Sequence, residues 1–244
     1  CPAQGDGAMT IGIALACAGC LLLTAVIAVA IGRARSACSI VYSACLVLSL
    51  VSLACAVLQL LGRGFPTTLT LPLGLPWIGA HFRMDALSAF FLLVVDLGAA
   101  AASLFALGYG QHEQEPLRVL PFYPAYLAAM NIVVLADDAF SFLVAWEFMS
   151  LTSWALVVSN HRDPDNLRAG YVYLLMASFG TLVLLLAFGV LAGGTGAYDF
   201  AAIRAAHETR AVAGAVLLLA LLGAGSKAGL VPLHVWLPLA HPAA

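Results

Sequence analysis

The sequence predicts an all-α, polytopic transmembrane helix bundle of about seven spans whose seventh helix is broken. Three observations predict it. Of 244 residues, 63% are hydrophobic and 9% charged, with a mean hydropathy of +1.03, where a soluble domain carries about 25% charged residues. Apolar runs occur at 10–31, 38–61, 86–109, 119–136, 139–159, 169–192 and 211–231, each near the ~20 residues that cross ~30 Å of hydrocarbon. Finally, a lone lysine, Lys227, stands low in the last run beside Gly225, Gly229 and Pro232.

The runs are continuous, whereas the strands of a membrane barrel alternate over roughly ten residues. The excess of apolar surface excludes disorder, and the net charge of −2 gives no sign of a nucleic-acid partner. The first run is too long for a signal-peptide core, and another follows at once. Cys17, Cys20, Cys38, Cys45 and Cys55 lie in or beside the first two runs and read as small packing residues. Cys17-x-x-Cys20 has no second pair and no nearby histidine, so it is a poor metal or redox site. The link 62–85 is rich in Pro, Gly and Thr. Its Thr-Thr-Leu-Thr-Leu stretch predicts a short hairpin at the membrane surface. Asp85 reads as an N-terminal residue of the third helix. Asp137-Asp138 joins the fourth and fifth runs tightly, with Asp138 as an N-cap.

Orientation follows from arginine placement. An external N-terminus puts Arg33, Arg35, Arg118, Arg162 and Arg168 on the inner side and Arg63, Arg83, Arg204 and Arg210 on the outer. The short inner loops are the denser, which favours that orientation. Glu113, Glu115, Asp163, Asp165, Asp199 and Glu208 fall at run ends and read as solvated caps. His81, His112, His161 and His207 fall in loops or at interfaces and form no metal-ligand cluster.

Three charges lie within the runs: Asp96, Glu147 and Lys227. An ionisable residue at membrane depth is a functional-site candidate. A carboxylate there needs a cation, a hydrogen-bond donor or its own proton. Glu147 is thus either a proton relay or a neutral acid joining helices, with Ser150, Thr152 and Ser153 as available hydroxyls on following turns. Lysine releases a proton within a usable range where arginine does not. The alternative is a lysine that snorkels to the interface. Irregular backbone at membrane depth is tolerated where it is buried in protein or lines a hydrated cavity, and broken helices are common at transport sites. His234 and His241, seven residues apart, are either proton carriers or hydrogen-bonded packing residues. Asp96 is a weaker candidate, facing water or a buried partner. Walker, dinucleotide, haem and iron–sulfur motifs are all missing from the sequence, so no cofactor is expected.

The strings RMDALSAFF (83–91), WEFMSLTSW (146–154) and GSKAGLVPLHVWLPLAHPAA (225–244) together resemble the antiporter-like membrane subunits of respiratory complex I, multisubunit cation/proton antiporters and membrane-bound [NiFe] hydrogenases. PLHVWLPLAHPAA is most similar to the hydrogenase-4 component B and formate hydrogenlyase subunit 3 branch. The resemblance implies that Glu147 and Lys227 form a buried pair whose separation and protonation drive proton translocation. His234 and His241 match the histidines of the same string. Leu239 stands where the family usually has an acid. The resemblance further implies an inner-membrane subunit, without a redox centre of its own, that couples to electron transfer in partner membrane subunits and a peripheral redox arm. A Na⁺/H⁺ antiporter subunit and a non-conducting membrane anchor are the alternatives. Family members have about fourteen helices in two inverted repeats plus flanking helices. Residues 1–118 are then expected to hold three leading helices, and 119–244 the start of a repeat, making the chain an N-terminal fragment.

Overall fold

The computed structural model describes residues 3–62, 66–74, 79–110, 115–193, 196–240 and 242. Helices long and apolar enough to span a membrane number seven among them. The chain divides into two compact units, Cys1–Ala136 and Asp137–Ala244.

The first unit holds α1 (Ala3–Ile31), α2 (Ala37–Leu61), strands β1 (Thr67–Leu71) and β2 (Ala80–Met84), α3 (Ala86–Tyr109) and α4 (Phe122–Leu135). A 3₁₀ turn, Pro116–Arg118, extends the fourth span at its start. Strands β1 and β2 pair antiparallel with Thr67 opposite Met84 and Leu71 opposite Ala80, which is the hairpin expected from the Thr-Leu alternation. Asp85 then starts α3 as a reciprocal capping box: its carboxylate accepts from the Ser88 amide at 2.9 Å, and Ser88 Oγ accepts from the Asp85 amide at 2.7 Å. Burial pushes the Asp85 carboxyl up, but the Ser88 amide and the Arg83 guanidinium at 2.8 Å outweigh it and hold it below the usual range. The core carries small and polar residues, Ala14, Ala56, Ala89, Ser49 and Ser52 among them, while Leu23, Val26, Leu58 and Phe105 face outward. Small inward residues let helix backbones approach closely in a membrane, where lipid already solvates leucine.

The second unit holds α5 (Ala139–Val157), α6 (Pro164–Ala192), the six-residue α7 (Phe200–Ala205), α8 (Arg210–Ala228), a 3₁₀ turn (Leu233–Trp236) and α9 (Leu237–Ala240). Asp138 is the N-cap of α5, accepting from the Ser141 amide at 2.7 Å. The short α7 is a feature the sequence reading missed. Its strand-like entry pairs Asp199 with Asp138, and Phe200 joins Phe142, Phe188 and Trp146 in an aromatic cluster over the start of α5. Helices α6 and α8 meet through glycines. A Cβ at Gly180 would lie 2.8 Å from the Gly223 carbonyl and collide with Ser226 Oγ, and a Cβ at Gly223 would lie 2.7 Å from Leu184 Cγ. That close approach brings the last turn of α8, and with it Lys227, onto α6.

Candidate functional site

The expected break in the seventh span occurs at Gly229, whose φ of +71° ends α8 in a left-handed cap. Glycine adopts this conformation without the Cβ penalty. The helix therefore stops at Ala228, before Pro232 is reached. Its final carbonyls find partners from beyond the break. The Leu230 amide donates to the Gly225 carbonyl at 2.9 Å, and Trp236 Nε1 donates to the Ser226 carbonyl at 2.7 Å. Trp236 also packs edge-on against Tyr173, with centroids 5.1 Å apart. The chain after the break thus folds back and braces the end of α8.

Lys227 sits in that last turn, where free carbonyl dipoles favour a cation. Its Nζ donates to Tyr173 OH at 2.6 Å and to Ser150 Oγ at 3.0 Å, and lies 5.0 Å from the Tyr173 ring centroid. Tyr173 OH in turn shares a short hydrogen bond with Ser153 Oγ. The hydroxyls then run out to backbone: Ser153 Oγ donates to the Ser150 carbonyl at 3.2 Å, and Ser150 Oγ to the Trp146 carbonyl at 2.9 Å. Every hydroxyl in this chain has both an outlet and an inlet. Two Nζ bonds require two N–H groups, which a neutral amine supplies as well as an ammonium. Both contacts survive loss of the lysine proton.

Glu147 lies three residues before Ser150, on the same face of α5. Its carboxylate accepts from Thr181 Oγ1 at 2.6 Å and from Ser178 Oγ at 3.4 Å, both on α6. Thr181 Oγ1 also stands 3.2 Å from the Ala177 carbonyl. With Glu147 ionised, Thr181 donates to it. With Glu147 protonated, the acid donates to Thr181, which turns its own proton to Ala177. This site too serves either protonation state without orphaning a polar atom.

The structure therefore brings Glu147 and Lys227 to one α5–α6–α8 site, linked through α5. Among the described residues they form no direct ion pair. The hydroxyls differ from expectation. Ser150 and Ser153 serve the lysine side rather than the carboxylate, and Thr152 bonds back to the Phe148 carbonyl at 2.9 Å. The partners of Glu147 come from α6. His234 is exposed in the 3₁₀ turn and, among the described residues, has no bond to Lys227. His241 lies outside the described residues. Asp96 belongs to the first unit, 1% exposed, where its Oδ1 accepts from Asn131 Nδ2 at 3.2 Å. Ser52 stands beside its carboxylate, while Asn131 Oδ1 and Ser49 Oγ have no hydrogen-bond partner among the described residues. Tyr173, Ser178, Thr181 and Trp236 are site residues that sequence reasoning missed. Tyr173, Ala177 and Thr181 recur every four residues, a polar and small stripe along an otherwise Leu-rich helix.

Residues 136–244, which contain this entire site, match the family model of the NADH:quinone oxidoreductase/Mrp antiporter transmembrane region. This segment belongs to that antiporter-like family. The chain is 40% identical over 164 residues to hydrogenase-4 component B of Escherichia coli K12, covering 66% of this chain and 24% of that protein. It is 31% identical over 180 residues to NADH-quinone oxidoreductase subunit N 1 of Sorangium cellulosum, covering 70% of this chain and 35% of that protein. A chain in the structure of the Mrp complex from Dietzia sp. DQ12-45-1b superposes with a TM-score of 0.79 at 26% identity, over 94% of this chain and 43% of that one. The chain thus spans between about a quarter and under half the length of these antiporter-like relatives. Its fold is that of the membrane subunits in such complexes.

Proposed function

We propose that the chain forms part of a proton-translocating membrane subunit of an energy-converting oxidoreductase, of the hydrogenase-4/formate hydrogenlyase or NADH:quinone oxidoreductase type. The observation that carries this is the Lys227 amine. It is half-buried at a broken helix end, held by one phenol and by a serine that shares its face of α5 with a hydroxyl-bonded glutamate. The 40% identity to hydrogenase-4 component B supports that branch. In this reading the subunit sits in a bacterial inner membrane, with its N-terminus outside and the arginines of 33, 35, 118, 162 and 168 inside. The repeat begins near residue 119. Electron transfer takes place in partner membrane subunits and a peripheral redox arm.

The proposed step is a change in the distance between two charges. At an effective dielectric near 20, opposite charges attract by about 4 kcal/mol at ~4 Å and about 2 kcal/mol at ~8 Å. Such a separation changes the proton affinity of Lys227 on the order of 30-fold. The hydroxyl chains hold both residues in either state, so the proton moves without breaking the site. His234 and His241 are the onward carriers in this proposal, and Asp96 a lesser second station. Because the likeness extends to the Mrp complex, a second reading is a Na⁺/H⁺ antiporter subunit. The test is ion transport by the assembled complex in proteoliposomes. Loss of coupled proton transport in both Lys227→Ala and Glu147→Gln supports the proposal, and sodium-dependent transport favours the second reading. Unchanged transport in both variants sinks it and leaves a structural anchor.

A further inference from the structure

We propose that the open cavity between the α1–α2 link and the start of the fourth span binds the phosphate headgroup of an anionic phospholipid. The cavity measures about 760 Å³ and is lined by Arg33, Arg35, Arg118 and Glu115, with Gly32 and Leu117 forming its wall. Among the described residues, three arginines against one glutamate give the lining a charge of +2. Arg118 is paired with Glu115. Arg33 and Arg35 are exposed and, among the described residues, have no hydrogen-bond or ion-pair partner. The wall is close-packed: a Cβ at Gly32 would collide with the Leu117 side chain. Guanidinium groups bind phosphate oxygens through a planar fork of donors.

The depth of the cavity selects a lipid over a soluble anion. Ile31 ends the first span, Ala37 begins the second, Tyr109 ends the third and Pro116 begins the fourth. Residues 32–36 and 115–118 therefore stand at headgroup level. Just below, Phe105 and Tyr109 stack at 5.6 Å with 71% and 67% of their surfaces exposed. Tyr109 adjoins Gly110, which also lines the cavity. Exposed aromatics at a span end are placed for the membrane interface. The combination offers arginines for a phosphate and an apolar, aromatic flank for the acyl chain beneath it. Basic pockets between spans take anionic headgroups in this way.

The test is lipid retention by the full chain, exchanged into vesicles of phosphatidylcholine containing a fifth part phosphatidylglycerol, extracted and read by native mass spectrometry. Phosphatidylglycerol should be enriched over phosphatidylcholine on the wild type. Arg33→Gln with Arg35→Gln should cut that preference about fivefold for each arginine. Arg162→Gln with Arg168→Gln, the same charge loss elsewhere, should leave it unchanged. Equal retention of the two lipids by the wild type overturns the proposal, whether or not the variants fold. So does an equal loss in both double variants. Displacement by millimolar inorganic phosphate would make it a small-anion site, and displacement by a polyglutamate peptide a protein contact; either result also overturns the lipid assignment.

Discussion

Replacing Tyr173 by phenylalanine isolates one atom of the Lys227 site. The ring stays, and with it the edge contact to Trp236 at 5.1 Å. What disappears is the oxygen that accepts from Nζ at 2.6 Å. Ser153 keeps the Ser150 carbonyl as its outlet, and Lys227 keeps Ser150, so no hydroxyl is orphaned. A hydrogen bond to a charged group is worth about 1.5–3 kcal/mol. The neutral amine keeps a weaker bond to the same oxygen, so the loss falls on the ammonium by about 1 kcal/mol more and changes the balance between protonated and neutral lysine about fivefold. The expected result is coupled proton transport at least several-fold slower, in a protein whose thermal unfolding is displaced by only a few degrees. Dye-reported proton uptake by proteoliposomes, with tryptophan fluorescence melts on the same preparation, measures both. Wild-type transport from a normally folded Tyr173→Phe protein would refute the assigned role of the phenol.

The remaining predictions concern how the site is held. Gly180→Leu forces a side chain into Ser226 and the Gly223 carbonyl, and should destabilise the α6–α8 contact by about 1–3 kcal/mol, read as a lower melting temperature with lost transport. Trp236→Phe keeps the ring against Tyr173 but removes the donor to the Ser226 carbonyl. It should cost about 1–3 kcal/mol, and hydrogen exchange should show the last turn of α8 opening more often. Asp85→Ala removes a capping box and an ion pair, at a cost of about 0.5–2 kcal/mol near neutral pH. Because the folded Asp85 carboxyl titrates below its unfolded range near ~3.9, that stabilisation is complete above the unfolded value. It disappears as pH falls through the folded one, so wild type and variant should converge in acid.

The spans were legible because hydrocarbon imposes length and composition directly, and the caps at Asp85 and Asp138 because a short acid before an apolar run has few other uses. The hairpin was legible from strict Thr-Leu alternation. The charges Glu147 and Lys227 stood out for the same reason they are costly. Their partners did not. Tyr173, Ser178 and Thr181 are ordinary residues in an apolar helix; the packing of α6 on α5 aims Ser178 and Thr181 at Glu147, and the glycine contact with α8 brings Lys227 to Tyr173. Ser150 and Ser153 were visible as hydroxyls, but which charge they serve depends on where α8 ends, and Gly229 sets that rather than Pro232. Trp236 read as one more apolar residue of its string until the broken helix gave its N–H a carbonyl. Helix α7, at six residues, is too short for periodicity to reveal.

The proposal depends most on Lys227 giving up its proton, so the decisive variant keeps the charge and removes that ability. In Lys227→Arg the guanidinium remains protonated throughout the working range. The measurement is the number of protons translocated per electron transferred by the assembled complex in sealed vesicles. Electron transfer that continues with proton translocation abolished is the predicted result; a wild-type ratio from the arginine variant would contradict proton release by Lys227.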